Sequence, residues 1–297
     1  MKHITVCICT FKRQLLLKRL LQELAHQTTG GRFTYSIVVA DNDHLQSAKP
    51  VLSEFAATSS LETIYCLEPR QNIALTRNKA LEHTKGDFVA FIDDDEFPIQ
   101  DWLLTLFETC QRYGVDGVLG PVKPHFDEQP PAWVVKGKFY ERPTYSTGFV
   151  IDWRKGRTGN VLLRRQVFDG LGEAFRAEFL TGEDQDFFRR MIQKGHVFIW
   201  CNEAVAYEVV PPARWKRSFM VKRALLRGKV TVVHSTFGAS EIVKSVIAVP
   251  AYMVALPFLL LPGQHVFMKY LVKLFDHLGK IFASIGINPI KESYVTE

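Results

Sequence analysis

The chain has 297 residues, 47% of them hydrophobic and 23% charged, with a formal net charge of +6. This composition excludes a low-complexity or repeat protein and suits one large globular domain or two ordinary ones. The five cysteines, at positions 7, 9, 66, 110 and 201, show no CxxC pair and no zinc spacing. Buried, reduced thiols are therefore expected.

The apolar, β-branched run from Ile4 to Thr10 predicts a first strand, followed by the loop Thr10-Phe11-Lys12-Arg13. That strand starts so early that no signal peptide precedes it, which leads us to expect a cytoplasmic catalytic portion. Leu15, Leu16, Leu17, Leu20, Leu21 and Leu24 give a broad apolar face of a helix ending near His26. Tyr35 to Ala40 reads as a second strand, Ala48 to Thr58 as a helix and Glu62 to Leu67 as a third strand. Asn72 to His83 reads as a helix, Phe88 to Ile92 as a strand and Asp101 to Tyr113 as a helix. Val115 to Val122 reads as another strand. Such alternation predicts an α/β fold, a mainly parallel sheet with helices on both sides.

The pattern loosens after Pro121. Gly159 to Arg165 returns to strand character. Glu183 to Lys194 predicts a helix capped by Thr181 or Gly182, and Val197 to Cys201 a short strand. From Val209 to Ser240 there is no Asp or Glu, but there are Arg214, Lys216, Arg217, Lys222, Arg223, Arg227 and Lys229. That asymmetry points to an anionic partner. Ser245 to Leu261 carries no charge and is interrupted by Pro250 and Pro257. It is slightly short for a spanning helix, so a membrane-embedded, re-entrant or interfacial segment is one reading and a buried helix pair the other. The basic run upstream favours the anionic cytoplasmic leaflet. Expected boundaries are a catalytic domain over 1–208, a basic linker or helix over 209–240 and a membrane-associating helical region over 241–297.

The chemistry centres on Phe88-Val89-Ala90-Phe91-Ile92-Asp93-Asp94-Asp95-Glu96. The apolar part reads as a strand buried on both faces. The acids must then leave the core, because an unpaired buried carboxylate is too costly to keep. They fall at the carboxyl end of a central strand, where ligands bind in open α/β sheets. Acids this close repel, a cation relieves the repulsion, and Mg²⁺ takes such oxygens together with phosphates.

Several ordered motifs carry a resemblance: Thr10 to Arg13, Asp41-Asn42, Asn72 to Asn78, Asp93 to Asp95, and Glu183-Asp184-Gln185-Asp186. Together they resemble the family 2 glycosyltransferases of GT-A fold, most of all the bacterial succinoglycan-type exopolysaccharide glucosyltransferases, over about residues 4 to 230. The resemblance implies an inverting transfer of one sugar, glucose in the nearest group, from a UDP-sugar to a polyprenyl-diphosphate-linked or other saccharide acceptor. Mg²⁺ or Mn²⁺ would assist at the cytoplasmic face of the bacterial inner membrane, with no nucleic acid involved.

It also implies residue roles. Thr10, Phe11, Arg13, Asp41, Arg77 and Asp93 would bind the donor nucleotide, with Asp41 on the uracil. Asp95 would ligate the metal, and Asp184 would be the general base that activates a sugar hydroxyl. Asn160, Glu183 and Trp133 are expected to touch the acceptor or donor sugar, and Arg223 and Arg227 the diphosphate. Relatives often carry a metal-binding His where this chain has Tyr207, before Glu208. Two other classes stay open at this point. One is a nucleotidyltransferase, although Thr10 to Leu17 lacks a glycine-rich phosphate loop; the other is a non-catalytic nucleotide-sugar or lipid binding module.

Overall fold

The computed structural model describes residues 1–179, 182–233 and 238–290. Two compact units divide the chain: Met1–His125 with Arg142–Val209, and Phe126–Glu141 with Val210–Glu297. In chain order the elements are β1 (Lys2–Thr10), α1 (Gln14–Leu24), β2 (Phe33–Asp41), α2 (Lys49–Thr58), β3 (Thr63–Leu67), α3 (Ile73–Glu82) and β4 (Phe88–Phe91). Next come β5 (Glu96–Pro98), α4 (Trp102–Tyr113), β6 (Gly117–Leu119), β7 (Val122–His125), α5 (Ala132–Lys136) and β8 (Val161–Arg164). The last are α6 (Glu183–Gln193), β9 (Phe198–Trp200), β10 (Ala206–Val209), α7 (Pro212–Trp215), α8 (Arg217–Val233), α9 (Ala239–Ala255) and α10 (Gln264–Ser284).

In the first unit a sheet of order β3-β2-β1-β4-β8-β6-β9 forms the centre. All neighbours in it are parallel except β8, which runs against β4 and β6. Its apolar strands are buried on both faces because alternate side chains feed two layers. Ile4, Val6 and Ile8 pack with Leu17, Leu20 and Leu21 of α1 and Trp102 and Leu106 of α4. Cys7, Val89 and Phe91 pack on the other side with Ala74 and Ala80 of α3 and Phe187, Phe188 and Met191 of α6. The sequence analysis expects one strand from Val115 to Val122. It divides instead into β6 and β7 at Gly120-Pro121, and the two halves join different sheets. A side chain at Gly120 would run into the Asn160 amide (2.6 Å from a Cβ to Nδ2). The second sheet, β5-β10-β7, is built of strands of three or four residues. Backbone pairing anchors the acids there, as the Val209 amide donates to the Asp95 carbonyl at 2.8 Å.

In the second unit α7 and α8 occupy much of residues 209–240, the helix of the two alternatives expected there, and Phe126–Glu141 joins them from far upstream. Val134, Val210 and Trp215 form a small core there with Trp133 and Tyr140. Helices α8 and α10 approach closely because Gly228 lies against the Asp276 carbonyl and Gly279 against that of Leu225, leaving no room for a Cβ. Pro250 sits inside α9, and the helix ends just before Pro257. Buried Ser245 bonds the Glu241 carbonyl (2.8 Å) and His277 Nδ1 (2.9 Å). Val243, Val246, Ile247, Val254, Phe258 and Leu261 are exposed. Among the described residues no helix is long and apolar enough to cross a membrane.

Candidate active site

The carboxyl ends of β1, β2 and β4 lie side by side, since β1 pairs in parallel with both others. Beyond β1 the chain turns through Lys12, which has φ +56°, a conformation that non-glycine residues adopt mostly where the surroundings impose it. The turn brings Thr10 and Arg13 onto the β4 acids. Thr10 Oγ1 donates to Asp94 Oδ2 at 2.8 Å, and the Arg13 guanidinium reaches Asp94 Oδ1 at 2.9 Å and Asp95 Oδ2 at 3.1 Å. Lys12 Nζ stands 5.1 Å from the centre of the half-buried Phe11 ring. At the end of β2, Asp41 has no exposed surface. It accepts from the amides of Asp43 (3.0 Å) and Ala48 (2.8 Å) and from the Tyr65 hydroxyl (3.1 Å). A carboxylate offers about four acceptor sites, so roughly one is left for a ligand.

The β4 acids differ in access. Asp93 leaves 42% of its side chain exposed, Asp94 6% and Asp95 10%, so Asp93 is the open carboxylate of the three. Burial pushes Asp94 up to about 6; the Arg13 charge opposes this and the Asp95 charge adds to it. Glu96 lies directly across from Glu208 in the β5–β10 ladder. Like charges facing each other destabilise a sheet, and two features relieve them. Arg142 pairs with Glu208. Burial, reinforced by the Asp93 and Asp95 charges, also raises Glu96 well above the usual carboxylate range, toward its neutral form. Glu96 Oε1 is buried without a hydrogen-bond partner among the described residues.

A second set of acids comes from the start of α6. Gly182, at φ +83°, is the N-cap; Thr181 lies outside the described residues. Acids here face the positive end of the helix dipole, but each has a different neighbour. Asp186 is buried and pairs with Arg190 (2.8 Å), Arg189 (3.1 Å) and Arg176 (3.8 Å). Glu183 is buried against Arg77, whose guanidinium also stands 3.7 Å from Asp93. Burial opposes the Arg77 charge, yet Glu183 and Asp93 raise its pKa above the ordinary arginine value. Helix α3 aims this arginine, and Asn72 sets the helix start by accepting from the amides of Ala74 (2.9 Å) and Leu75 (3.2 Å). Asp184 has no ion pair within 4 Å among the described residues, and its Oδ1 accepts only from its neighbour's amide, Gln185, at 2.7 Å. Burial, then the Glu183 charge, pushes Asp184 up to about 6, against the charges of Arg77 and Arg157.

Thr10, Arg13, Asp93, Asp94, Asp95, Arg77, Glu183 and Asp184 are thus linked directly or through one neighbour. Other expected site residues are not part of this set of contacts. Asn160 has no exposed surface, and its amide is fully engaged: Nδ2 donates to Pro121 and Ala204 carbonyls at 2.9 and 2.8 Å, while Oδ1 accepts from Trp102. It joins β8 to two loops and α4, which corrects its assignment as a sugar contact. Trp133, Arg223 and Arg227 belong to the second unit. There the Trp133 ring meets Phe139 at 5.5 Å, and Arg227 Nε donates to Asp276 at 2.8 Å. Tyr207 stacks on Phe97 at 5.4 Å, and strand alternation gives the side of Arg142 to Glu208 instead. Glu96 stands in the acidic run that the sequence singles out but had no role of its own, and no signal in the sequence marks Arg142 or Arg157.

The donor chemistry fits a hard divalent cation only in part. Among the described residues no group of three or more His, Cys, Asp or Glu side chains could hold a metal alone. Asp93 and Asp95 supply hard oxygens from one turn, so phosphate oxygens of a bound nucleotide would have to complete the shell.

Comparison with known proteins shows the family and the fold. The sequence profile of Glycosyl transferase family 2 matches residues 5–172. The chain is 35% identical over 230 residues to the succinoglycan biosynthesis protein ExoM of Rhizobium meliloti, covering 76% of this chain and 73% of that one. Its fold is similar to that of the mannosyltransferase PcManGT from Pyrobaculum calidifontis, solved with GDP-Man and Mn²⁺. The TM-score is 0.61 at 17% identity, over 95% of this chain and 86% of that one. It is similar also to S. aureus TarS in complex with UDP-GlcNAc, with a TM-score of 0.53 at 13% identity over 98% and 93% of the two chains. It spans 55% of the longer TarS structure. An alternating α/β sheet with GT-A neighbours, ordered motifs on its strand ends and a matching profile over more than half its length leave neither a nucleotidyltransferase nor a mere binding module: the chain belongs to glycosyl transferase family 2 and is a hexosyltransferase of GT-A fold.

Proposed function

We propose that this enzyme moves a single glucose from a UDP-sugar to a polyprenyl-diphosphate-linked saccharide, with inversion, in the synthesis of a bacterial exopolysaccharide. The observation that carries the reading is Asp184, an acid with no cationic partner within 4 Å among the described residues and a pKa pushed up to about 6, one residue from the Arg77–Glu183 pair. At pH 7 such a group is about nine-tenths ionised yet basic enough to take a proton from an acceptor hydroxyl. Arg77 holds Glu183 on one side and faces Asp93 on the other, which fixes the start of α6 relative to the β4 acids. Asp41 would receive the uracil through its remaining acceptor site, and Thr10, Phe11 and Arg13 would line the nucleotide. Asp93 and Asp95 would hold Mg²⁺ or Mn²⁺ together with the diphosphate. The ion would supply positive charge to the departing UDP.

We place the protein at the cytoplasmic face of the inner membrane. Support comes from the exposed apolar residues of α9 and the basic residues of α8, the composition of an interfacial rather than a spanning segment. Flotation with vesicles containing anionic lipid tests this. The Val246→Asp, Ile247→Asp variant should lose vesicle binding and keep its fold, and unchanged flotation would remove α9 from the interface. The sugar and the transfer are tested by incubating the enzyme with a panel of UDP-sugars and acceptor-bearing membranes. Release of UDP with UDP-glucose and an acceptor is expected. No release with any UDP-sugar would overturn the reading.

A further inference from the structure

Beside the acids, on the β6–β8–β9 side of the sheet, lies a cavity of about 180 Å³ lined by Arg142, Arg154, Lys155, Arg157, Tyr145 and Trp200. Three of its four cations carry no full countercharge from within the cleft. Lys155 rests over the Tyr145 and Phe149 rings, at 5.7 and 5.5 Å, and has no acidic partner within 4 Å among the described residues. Arg157 is exposed at the cleft and has none either; partial desolvation, then the Arg142 charge, lowers its pKa. Arg154 reaches Asp152 only at 3.5 Å, on the exposed surface. Like charges gathered around one cleft repel, and an anionic ligand relieves that repulsion. The indole N–H of Trp200 is a buried donor without a partner among the described residues. Leaving such a donor unmet is costly, and an oxygen-rich ligand would satisfy it.

From these features we infer that the cleft binds an anionic group carried by the acceptor saccharide. The inference rests on the reading of Asp184 as the acceptor-side base. Gly159 borders the cleft, and a Cβ there would stand 2.8 Å from Glu96 Oε1 and 3.0 Å from Asp93 Oδ2, so the cavity opens next to the reacting region. The Arg157 and Asp184 charges act on each other's pKa, so the cleft and the proposed base share one electrostatic neighbourhood. The cavity is smaller than the roughly 300 Å³ that a drug-sized ligand needs, so it suits one charged sugar-sized group rather than the nucleotide. Tyr145, stacked on Phe149 at 4.7 Å and edge-on to Trp200 at 5.3 Å, adds an aromatic wall against which a sugar ring can lie. Carboxylate and diphosphate share the required chemistry.

Calorimetry on the full chain separates the two sources. The UDP-saturated protein is titrated with methyl β-glucuronoside, isopentenyl diphosphate and neutral methyl β-glucoside. One of the anions should bind at least about tenfold more tightly than the neutral sugar, the usual weight of a charge-assisted contact. The anion preferred shows whether a uronic acid or a lipid diphosphate is recognised. The Lys155→Gln, Arg157→Gln variant should lose the preference and keep its UDP affinity, which also reports that it has folded. Equal binding of charged and neutral ligands by the native protein, retained preference in the variant, or a loss of UDP affinity instead would each overturn the inference. If UDP itself fails to bind, the donor reading falls. The anion titrations are then read without UDP.

Discussion

The acids at the end of β4 and those at the start of α6 are similar in composition and unlike in consequence. Each run holds several carboxylates, and in each the structure neutralises some and leaves another open. At β4, Thr10 and Arg13 hold Asp94, Arg13 reaches Asp95, and Asp93 remains the exposed member. At α6, arginines surround Asp186, Arg77 takes Glu183, and Asp184 keeps no cation within 4 Å among the described residues. The β4 acids sit among cations reaching over from other elements, which suits the proposed site for a metal and a diphosphate. The α6 acid has an acidic neighbour and no cation within 4 Å among the described residues, which suits the proposed proton acceptor. Adjacent positions in a sequence therefore meet different electrostatic surroundings because their neighbours come from different elements.

The largest expected effect separates base from scaffold. Asp184→Asn should slow transfer by about two to four powers of ten and leave UDP-sugar affinity intact, measured on one preparation. The same variant should be more stable than the native protein at pH 7. A carboxyl raised to about 6 favours its neutral form in the fold, so its contribution is greatest below pH 4 and declines as pH rises through 6. The gain is about 1–3 kcal/mol at pH 7 and vanishes below about pH 4. Normal transfer, or a loss of stability, would reduce Asp184 to a helix-dipole partner.

Next is the link between the two acid runs. Arg77→Gln leaves Glu183 buried without its countercharge, for a destabilisation of about 3–5 kcal/mol in denaturant unfolding. Adding Glu183→Gln should restore much of it. If the double variant is no better than the single, the pair is not what holds α6 to the sheet. A third test uses pH: below the Asp184 value of about 6, transfer under subsaturating acceptor should fall about tenfold per pH unit. A profile flat from pH 7 to 5 would place the base elsewhere.

Smallest is Asp94→Asn. The amide keeps the Thr10 hydrogen bond, and a raised carboxyl loses little by becoming neutral, so stability should shift by less than about 1 kcal/mol and transfer by less than about tenfold. A loss as large as that of Asp184→Asn would move the working acid of β4 from Asp93 and Asp95 to Asp94.

The sequence by itself determined the alternating α/β order, the strands β1, β2 and β4 and the helices between them. Runs such as Ile4 to Thr10 and Phe88 to Ile92 are apolar enough to demand burial whatever else happens. It also determined that acids stand at strand ends and at the start of α6, but not that Asp94, Asp95, Glu183 and Asp186 are themselves buried, which the arginines reaching them allow. Only the tertiary structure decided what each acid does. The three-residue strand β5 exists through its pairing with β10, which no local periodicity announces, and that pairing sets Glu96 across from Glu208 and turns Tyr207 away from the acids. Nor does the chain reveal that Asn160 is sealed among Trp102, Pro121 and Ala204, or that Arg157 comes near Asp184. A side chain's charge state and exposure depend on atoms far away in sequence, so composition can mark a carboxylate as unusual, but only its surroundings decide whether it is a counterion, a ligand or a base.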